Sequence, residues 1–367
     1  MTEVYICGVG MTPFGRFPEK SVKQLTREAV VAVMADAGCE KSDIEAAYFS
    51  GSTNGYLQGQ NFVPGQIALR DMGFEGIPMY NLENACASGS SAFNLAAQAI
   101  RAGEQDIVLA VGAEKMYIED REKMFSAFDS GWDVETVEQN KANLLAMGHG
   151  VEVPEGTTSP KPYSVFMDVY AAFCRAHMRT FGTTQRQIAA VCAKNHQHSV
   201  HNSYSQFRNP YTVEEVLEAP PITYPLTLPM CAPISDGAAA VIVCSKAGLD
   251  RLKGDASRAV KVLASVVQTG TRRDPEDYEN HITAIAARKL YERAGVGPGD
   301  VDVVEVHDAT AMGEIIQAEN LQLVPFGEAG PAAERGEFSL GGRIPINPSG
   351  GLESKGHPIG ATGLGQI

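Results

Sequence analysis

Short apolar runs, each bounded by glycine or polar residues, predict strands at Val4–Val9, Asp106–Ala113, Asp236–Cys244, Lys261–Val266 and Val301–Val306. Between the first two, the period changes. Leu25, Ala29, Val33 and Ala37 recur every four residues, the spacing of one helix face, and Gly38 stands where that helix stops. The pattern then returns. Residues 29–51, AVVAVMADAGCEKSDIEAAYFSG, align with residues 286–308, AARKLYERAGVGPGDVDVVEVHD, at a constant offset of 257. Ala37-Gly38 falls on Ala294-Gly295, Asp43 on Asp300 and Glu45 on Asp302, and strand Val4–Val9 falls on Lys261–Val266. Each copy reads as strand, amphipathic helix, glycine stop and second strand.

A later segment repeats after a shift: Cys86-Ala-Ser-Gly89-Ser-Ser-Ala-Phe93 aligns with His357-Pro-Ile-Gly360-Ala-Thr-Gly-Leu364. Both are glycine-punctuated entries into an apolar helix. The expected architecture is α/β, with two pseudo-twofold-related halves and a large insertion in the first. Residues 1–118 plus 231–257 would form the N-terminal half and 258–367 the C-terminal half. Residues 119–230 are polar, punctuated by Gly and Pro, and show no strand–helix rhythm. Beyond its Cys86 helix the first half has two more strands, Asp106–Ala113 and Asp236–Cys244, whereas the second half stops at Ile367 inside the matching helix. The repeat therefore leads us to expect about two further strands, roughly 30 residues, beyond Ile367.

Composition narrows the function classes. With 44 % hydrophobic and 20 % charged residues the chain is an ordinary globular one. No apolar run approaches the ~20 residues of a membrane span, and Met1-Thr-Glu-Val-Tyr-Ile6 lacks a signal-peptide pattern. A net charge of −14 repels phosphate backbones, which argues against nucleic acid as a partner. The seven cysteines (Cys7, Cys39, Cys86, Cys174, Cys192, Cys231, Cys244) are odd in number, scattered, and form no C-x-x-C pair. That pattern argues against a disulfide framework or structural zinc and for a reducing, cytoplasmic compartment.

Three side chains carry candidate chemistry. Cys86 stands at a strand-to-helix junction, where free N–H groups and the helix dipole favour thiolate and can receive an oxyanion; a buried small thiol would sit there equally well. His357 lies in the glycine-dense Asn347-Pro-Ser-Gly-Gly-Leu-Glu-Ser-Lys-Gly-His357-Pro-Ile-Gly-Ala-Thr-Gly363, at the position the repeat matches to Cys86. Two helix entrances facing one cleft would pair a thiol with an imidazole base, although a loop histidine capping a helix is the plainer alternative. His307 ends the predicted strand Val301–Val306, where α/β folds place ligands, and the repeat brings it towards His357. His196-Gln-His198-Ser-Val-His201 has a metal-like H-x-H-x-x-H spacing but no nearby carboxylate, and no metal is assigned. Gly8-Val-Gly10-Met-Thr-Pro13 has Pro where a dinucleotide fingerprint needs Gly, no G-x-S-x-G elbow occurs, and His357 stands where a phosphate-loop Lys would be.

Asn84-Ala-Cys86-Ala-Ser-Gly89 resembles the nucleophile motif of thiolases, and Gly356-His357-Pro-Ile-Gly-Ala-Thr-Gly363 resembles their second signature closely. Val306-His307-Asp308-Ala309 is similar to the H-D-x-F element of the sterol-carrier-protein and archaeal types, and Lys194-Asn-His-Gln-His198 to their loop domain. The resemblance covers essentially the whole chain. It implies the five-layer αβαβα thiolase fold, a homodimer or dimer of dimers, and ping-pong acyl transfer between coenzyme A thioesters without a covalently bound cofactor. Cys86 would accept the acyl group, His357 would activate it, and His307 would help bind the thioester oxyanion. Two departures stand out. Thr310 replaces the Phe of H-D-x-F, and the family's second catalytic Cys, in a C-x-G loop, has no counterpart in these residues. The resemblance leaves two other activities open: an acyltransferase or retro-aldolase working with a small OB-fold/zinc partner, and a non-catalytic scaffold subunit. Retained Cys86 argues against the aldolase form, whose members lack the nucleophile. A peroxisomal location stays open for a eukaryotic source.

Overall fold

A computed structural model describes residues 2–367, which form two compact units. The first comprises the chain up to Glu119, Ile234–Val267 and His357–Ile367; the second comprises Asp120–Pro233 and Gln268–Gly356. In chain order the strands are β1 (Tyr5–Met11), β2 (Ala46–Ser50), β3 (Met79–Leu82), β4 (Ile107–Lys115), β5 (Pro221–Thr223), β6 (Leu226–Thr227), β7 (Asp236–Cys244) and β8 (Val260–Lys261).

Six of them build the sheet of the first unit in the order β3-β2-β4-β7-β1-β8. β2 runs parallel to β3 and β4, while β7 is antiparallel to both β4 and β1. Every residue of β4 and β7 is buried, because helices cover both faces of the sheet. Leu25, Ala29, Val30 and Val33 of helix Val22–Ala37 pack on Ile107, Leu109, Val111 and Ile242. On the opposite face Ala92, Ala96 and Ile100 of helix Ser88–Ala102, with Ala361 and Leu364 of helix Ile359–Gly365, pack on Val108, Ala110, Val241 and Val243. The four-residue spacing read from the sequence is thus the buried stripe of helix Val22–Ala37. Ser21 and Gln24 cap that helix reciprocally, and Gly38 ends it at φ +60°.

The β4–β7 ladder closes on an ion pair. Lys115 Nζ donates to Asp236 Oδ2 and to Phe17 O, both at 2.6 Å. Asp236 also accepts from Phe17 N at 2.9 Å and from Met116 N and Tyr117 N at 2.8 Å. Its carboxylate therefore ties β7, the end of β4 and the segment after β1 together in the dry interior.

The second unit is mainly helical. Phe166–Phe181, Gln185–Ser199 and Ala311–Asn320 surround a core of Ile188, Val191, Met312, Ile315, Phe338 and Ile344, with β5–β6 as a small hairpin. Residues 119–230 hold more regular structure than their pattern predicts. Lys194, Asn195, His196 and His198 are all buried, so polar residues occupy positions where a search for period expects apolar ones. The second copy of the repeat keeps its helix, Ile282–Ala294, ended by Gly295 at φ +71°. Its expected strands differ. Of Lys261–Val266 only Lys261 enters a ladder, in β8 against β1. Val301–Val306 makes one parallel bridge, Val304 to Ile346, and forms no regular strand. No helix of the described residues is long and apolar enough to cross a membrane.

Replacing Asp236 by Ala should cost about 3–5 kcal/mol, since it strands the buried Lys115 charge and three backbone N–H groups. Chemical denaturation of the two proteins measures this; a loss under about 1 kcal/mol would show the pair to be dispensable.

Candidate functional site

The chain turns sharply between β3 and helix Ser88–Ala102. Ala85 takes a left-handed conformation, φ +44°, and Ala85–Ala87 form one tight turn. A non-glycine residue stays there only when its surroundings over-determine it. They do: Glu83 Oε1 accepts from Ala85 N at 2.6 Å, Asn84 N donates to Ser88 Oγ at 2.8 Å, and Ser88 Oγ donates to Ala85 O at 2.6 Å. Cys86, half-buried, rides on this clamp.

His357 belongs to the same unit. Its amide donates to Ser235 Oγ at 3.0 Å, and its ring points back to the turn, with Nε2 3.3 Å from Cys86 Sγ. Nδ1 lies 2.7 Å from Thr362 Oγ1. The following helix, Ile359–Gly365, reaches this position because main chain touches main chain. A Cβ on Gly363 would stand 2.5 Å from Ser90 N, and one on Gly112 would collide with Gly360 O. Glu114, buried in β4, then fastens the helix. Its carboxylate accepts from Gly360 N at 2.8 Å and from Ser52 N, Thr53 N and Thr53 Oγ1, each at 2.9 Å.

The thiol is not the low-pKa group expected at a helix entrance. Burial pushes Cys86 up to about 11, its own amide N–H pulls the other way, and the charges of Glu114 and Glu83 push it further up. The regular helix begins only at Ser88, so the dipole's end lies past the sulfur, and desolvation wins. At pH 7 such a thiol is ionised to roughly one part in 10⁴ unless a base takes its proton. His357 Nε2 is within reach to do so.

His307 lies in the second unit, half-buried, and burial lowers it to about 4, so the ring is neutral at physiological pH. Asn347 positions this stretch. It accepts from Val306 N at 2.8 Å through Oδ1, donates to Glu314 Oε2 at 2.9 Å, and its own N donates to Val304 O at 2.7 Å. His198 donates from Nδ1 to Asn347 O at 3.0 Å and accepts from Leu340 N at 3.1 Å, which occupies both ring nitrogens. His196 Nε2 faces Pro229 O instead. The two histidines thus serve separate backbone groups rather than one ligand point.

Next to His307 in sequence, Asp308 enters a buried group with Glu314, Glu353, Lys194 and Asn195. Lys194 Nζ is 3.0 Å from Glu314 Oε1. Asn195 Nδ2 lies 2.9 Å from Glu353 Oε1, 3.1 Å from Glu314 Oε2 and 3.2 Å from Asp308 Oδ2. Three carboxyls converge on Asn195, and the one ammonium faces Glu314. Burial, reinforced by their mutual repulsion, raises Asp308 and Glu353 well above the ordinary carboxylate range.

Thr362, Glu114 and Asn347 were not singled out as site residues from the sequence. Glu114 did carry a signal, an acid directly continuing the apolar run Ile107–Ala113.

Comparison with known proteins gives two family matches: "Thiolase, N-terminal domain" over residues 4–218 and "Thiolase C-terminal domain-like" over residues 264–367. An acetyl-CoA acetyltransferase of Methanothermobacter thermautotrophicus is 36 % identical over 100 % of this chain and 89 % of its own length. Sterol carrier protein 2 of Rattus norvegicus is 35 % identical over 100 % of this chain, which spans only 65 % of that relative. The benzoylsuccinyl-CoA thiolase subunit BbsB of Thauera aromatica is 34 % identical, with 100 % and 87 % covered. Among solved structures, the Ltp2-ChsH2(DUF35) aldolase matches with a TM-score of 0.75 at 22 % identity, covering 99 % of this chain and 88 % of that one, a likeness of fold.

A carboxyl held protonated by the fold adds stability below its unfolded pKa and loses it as the pH climbs towards the raised value. Glu353→Gln keeps the shape of the protonated acid at every pH. Its melting temperature relative to the parent should rise between pH 5 and pH 8, read by thermal denaturation at both. An equal loss at both pH values would mean that Glu353 is an ionised, paired carboxylate.

Proposed function

The chain belongs to the thiolase family, and from that premise we propose that it transfers acyl groups between coenzyme A thioesters through Cys86. The observation that carries this is the 3.3 Å approach of His357 Nε2 to Cys86 Sγ. A thiol raised to about 11 is a poor nucleophile by itself, and a contacting imidazole supplies what it lacks. In the first half-transfer His357 takes the thiol proton and the sulfur attacks the thioester carbonyl. The tetrahedral adduct then expels the coenzyme A thiolate, which takes the proton back from His357. An acyl-enzyme remains, and a second acceptor reverses the sequence. His307, a neutral ring at the end of its segment, is assigned the N–H that meets the thioester oxygen; a neutral donor polarises the carbonyl without placing a full charge beside it. Thiol and base for the first half-transfer both belong to this chain. Assembly as a homodimer is carried over from the family resemblance.

Incubation with acetyl-CoA, proteolysis and mass spectrometry should find one acetyl group on the Cys86 peptide. Cys86→Ser should abolish it while leaving the fold intact, and His357→Ala should slow acylation by about 10²–10⁴-fold. A parent protein that takes no acetyl group, or a Cys86→Ser variant acylated at the parent rate, would overturn the assignment.

A further inference from the structure

Two hydrogen bonds at Thr362 decide which nitrogen of His357 carries the proton. Thr362 lies in helix Ile359–Gly365, and its hydroxyl donates at 3.0 Å to the carbonyl of Pro358, four residues earlier. Threonine in a helix makes this back-bond readily, because its β-branch holds Oγ1 over the preceding turn. The single hydroxyl proton is thereby committed, and Oγ1 can offer His357 only its lone pairs. Nδ1, 2.7 Å away, must then be the donor. In a neutral ring that leaves Nε2 as the acceptor, facing Cys86 Sγ at 3.3 Å.

We infer that Thr362 is a positioning residue that sets the Nδ1–H tautomer of His357 and so aims its basic nitrogen at the Cys86 thiol. The role deepens the acyl-transfer proposal and rests on it. The chain of roles is Cys86 S–H to His357 Nε2, His357 Nδ1–H to Thr362 Oγ1, and Thr362 O–H to Pro358 O. When His357 takes the thiol proton, Nδ1–H becomes part of an imidazolium, and its bond to Thr362 turns charge-assisted and strengthens. The hydroxyl therefore favours the thiolate–imidazolium pair over the neutral pair. The opposite tautomer would point Nε2–H at Sγ, a weak acceptor, and would leave the thiol proton without a base. Valine matches threonine in shape but offers Nδ1–H no acceptor, whereas serine keeps one.

The first measurement needs no Thr362 variant. Histidine-ring ¹⁵N spectra of the intact protein, with the His357 signals assigned by their loss in His357→Gln, should show Nδ1 protonated and Nε2 bare in the neutral ring. Finding Nε2 protonated overturns the inference, whether or not any Thr362 variant folds. The second measurement is Cys86 alkylation by iodoacetamide as a function of pH. Thr362→Val should slow it by about 10- to 100-fold at pH 7, the weight of one hydrogen bond to a charged group, and should move the profile to higher pH. Thr362→Ser should stay close to the parent. A Val variant that keeps the parent rate and profile would overturn the inference while the acyl-transfer proposal stands. A parent protein that accepts no acetyl group from acetyl-CoA would instead bring down the proposal on which it rests.

Discussion

The thiol–imidazole contact exists because a helix can lie against bare backbone. Helix Ile359–Gly365 meets strand β4 at Gly112 and helix Ser88–Ala102 at Ser90, positions where a single added Cβ on Gly112 or Gly363 would collide with main chain. Gly112 and Glu114 stand two apart on β4, so they face the same side of the sheet, the side this helix occupies. One residue provides the room; the other accepts a free N–H of the helix's first turn, that of Gly360, at 2.8 Å. Ser50 on the neighbouring strand donates to Gly360 O at 2.7 Å and completes the seat. His357 is thus placed by strand residues that never touch it. The distance between Nε2 and Sγ is a property of the packed sheet rather than of a flexible loop.

That placement matters more because the local electrostatics do not favour a thiolate at rest. The charges of Glu114 and Glu83 and the loss of water around Cys86 all oppose ionisation. The nucleophile is accordingly a thiol whose reactivity appears only as its proton leaves for the ring, which puts the demand on the geometry of the base. A resting thiol is also slower to oxidise than a resting thiolate. The expectation of a lowered pKa counted the helix dipole and overlooked desolvation, because a linear motif carries no measure of burial.

Where packing follows a simple period, the sequence was readable. Leu25, Ala29 and Val33 form the stripe of a buried helix, and the matched positions of Cys86 and His357 in the repeat anticipated two helix entrances that meet. The glycines around His357 were visible as unusual, but their reason, the approach of backbone to backbone, lies in partners distant in sequence such as Gly112 and Ser90. Strands 261–266 and 301–306 were misjudged for a related reason. A strand pattern states that a segment can pair, and pairing requires a neighbour that local sequence does not supply. Thr362 was hidden by its ordinariness, one small residue in a run of small residues, distinguished only by the ring nitrogen 2.7 Å from it.

Burial alone does not fix the charge of an acid; the census of donors around it does. Glu114 and the Asp308–Glu353 pair are equally cut off from water. Glu114 has two donors on each oxygen, three of them backbone N–H groups that cannot turn round, so only Thr53 could accept a proton from it. That arrangement resists protonation even though desolvation raises the carboxyl. Asp308 has one backbone donor, Leu352 N at 2.8 Å, and otherwise converges with Glu353 on Asn195, whose Nδ2 has two hydrogens for three carboxyls, while Lys194 is turned to Glu314. Two negative charges would be left with too few donors, and holding a proton is the cheaper state. Burial raises all three carboxyls, but Glu114 meets a donor at every lone pair while Asp308 and Glu353 share theirs and repel one another.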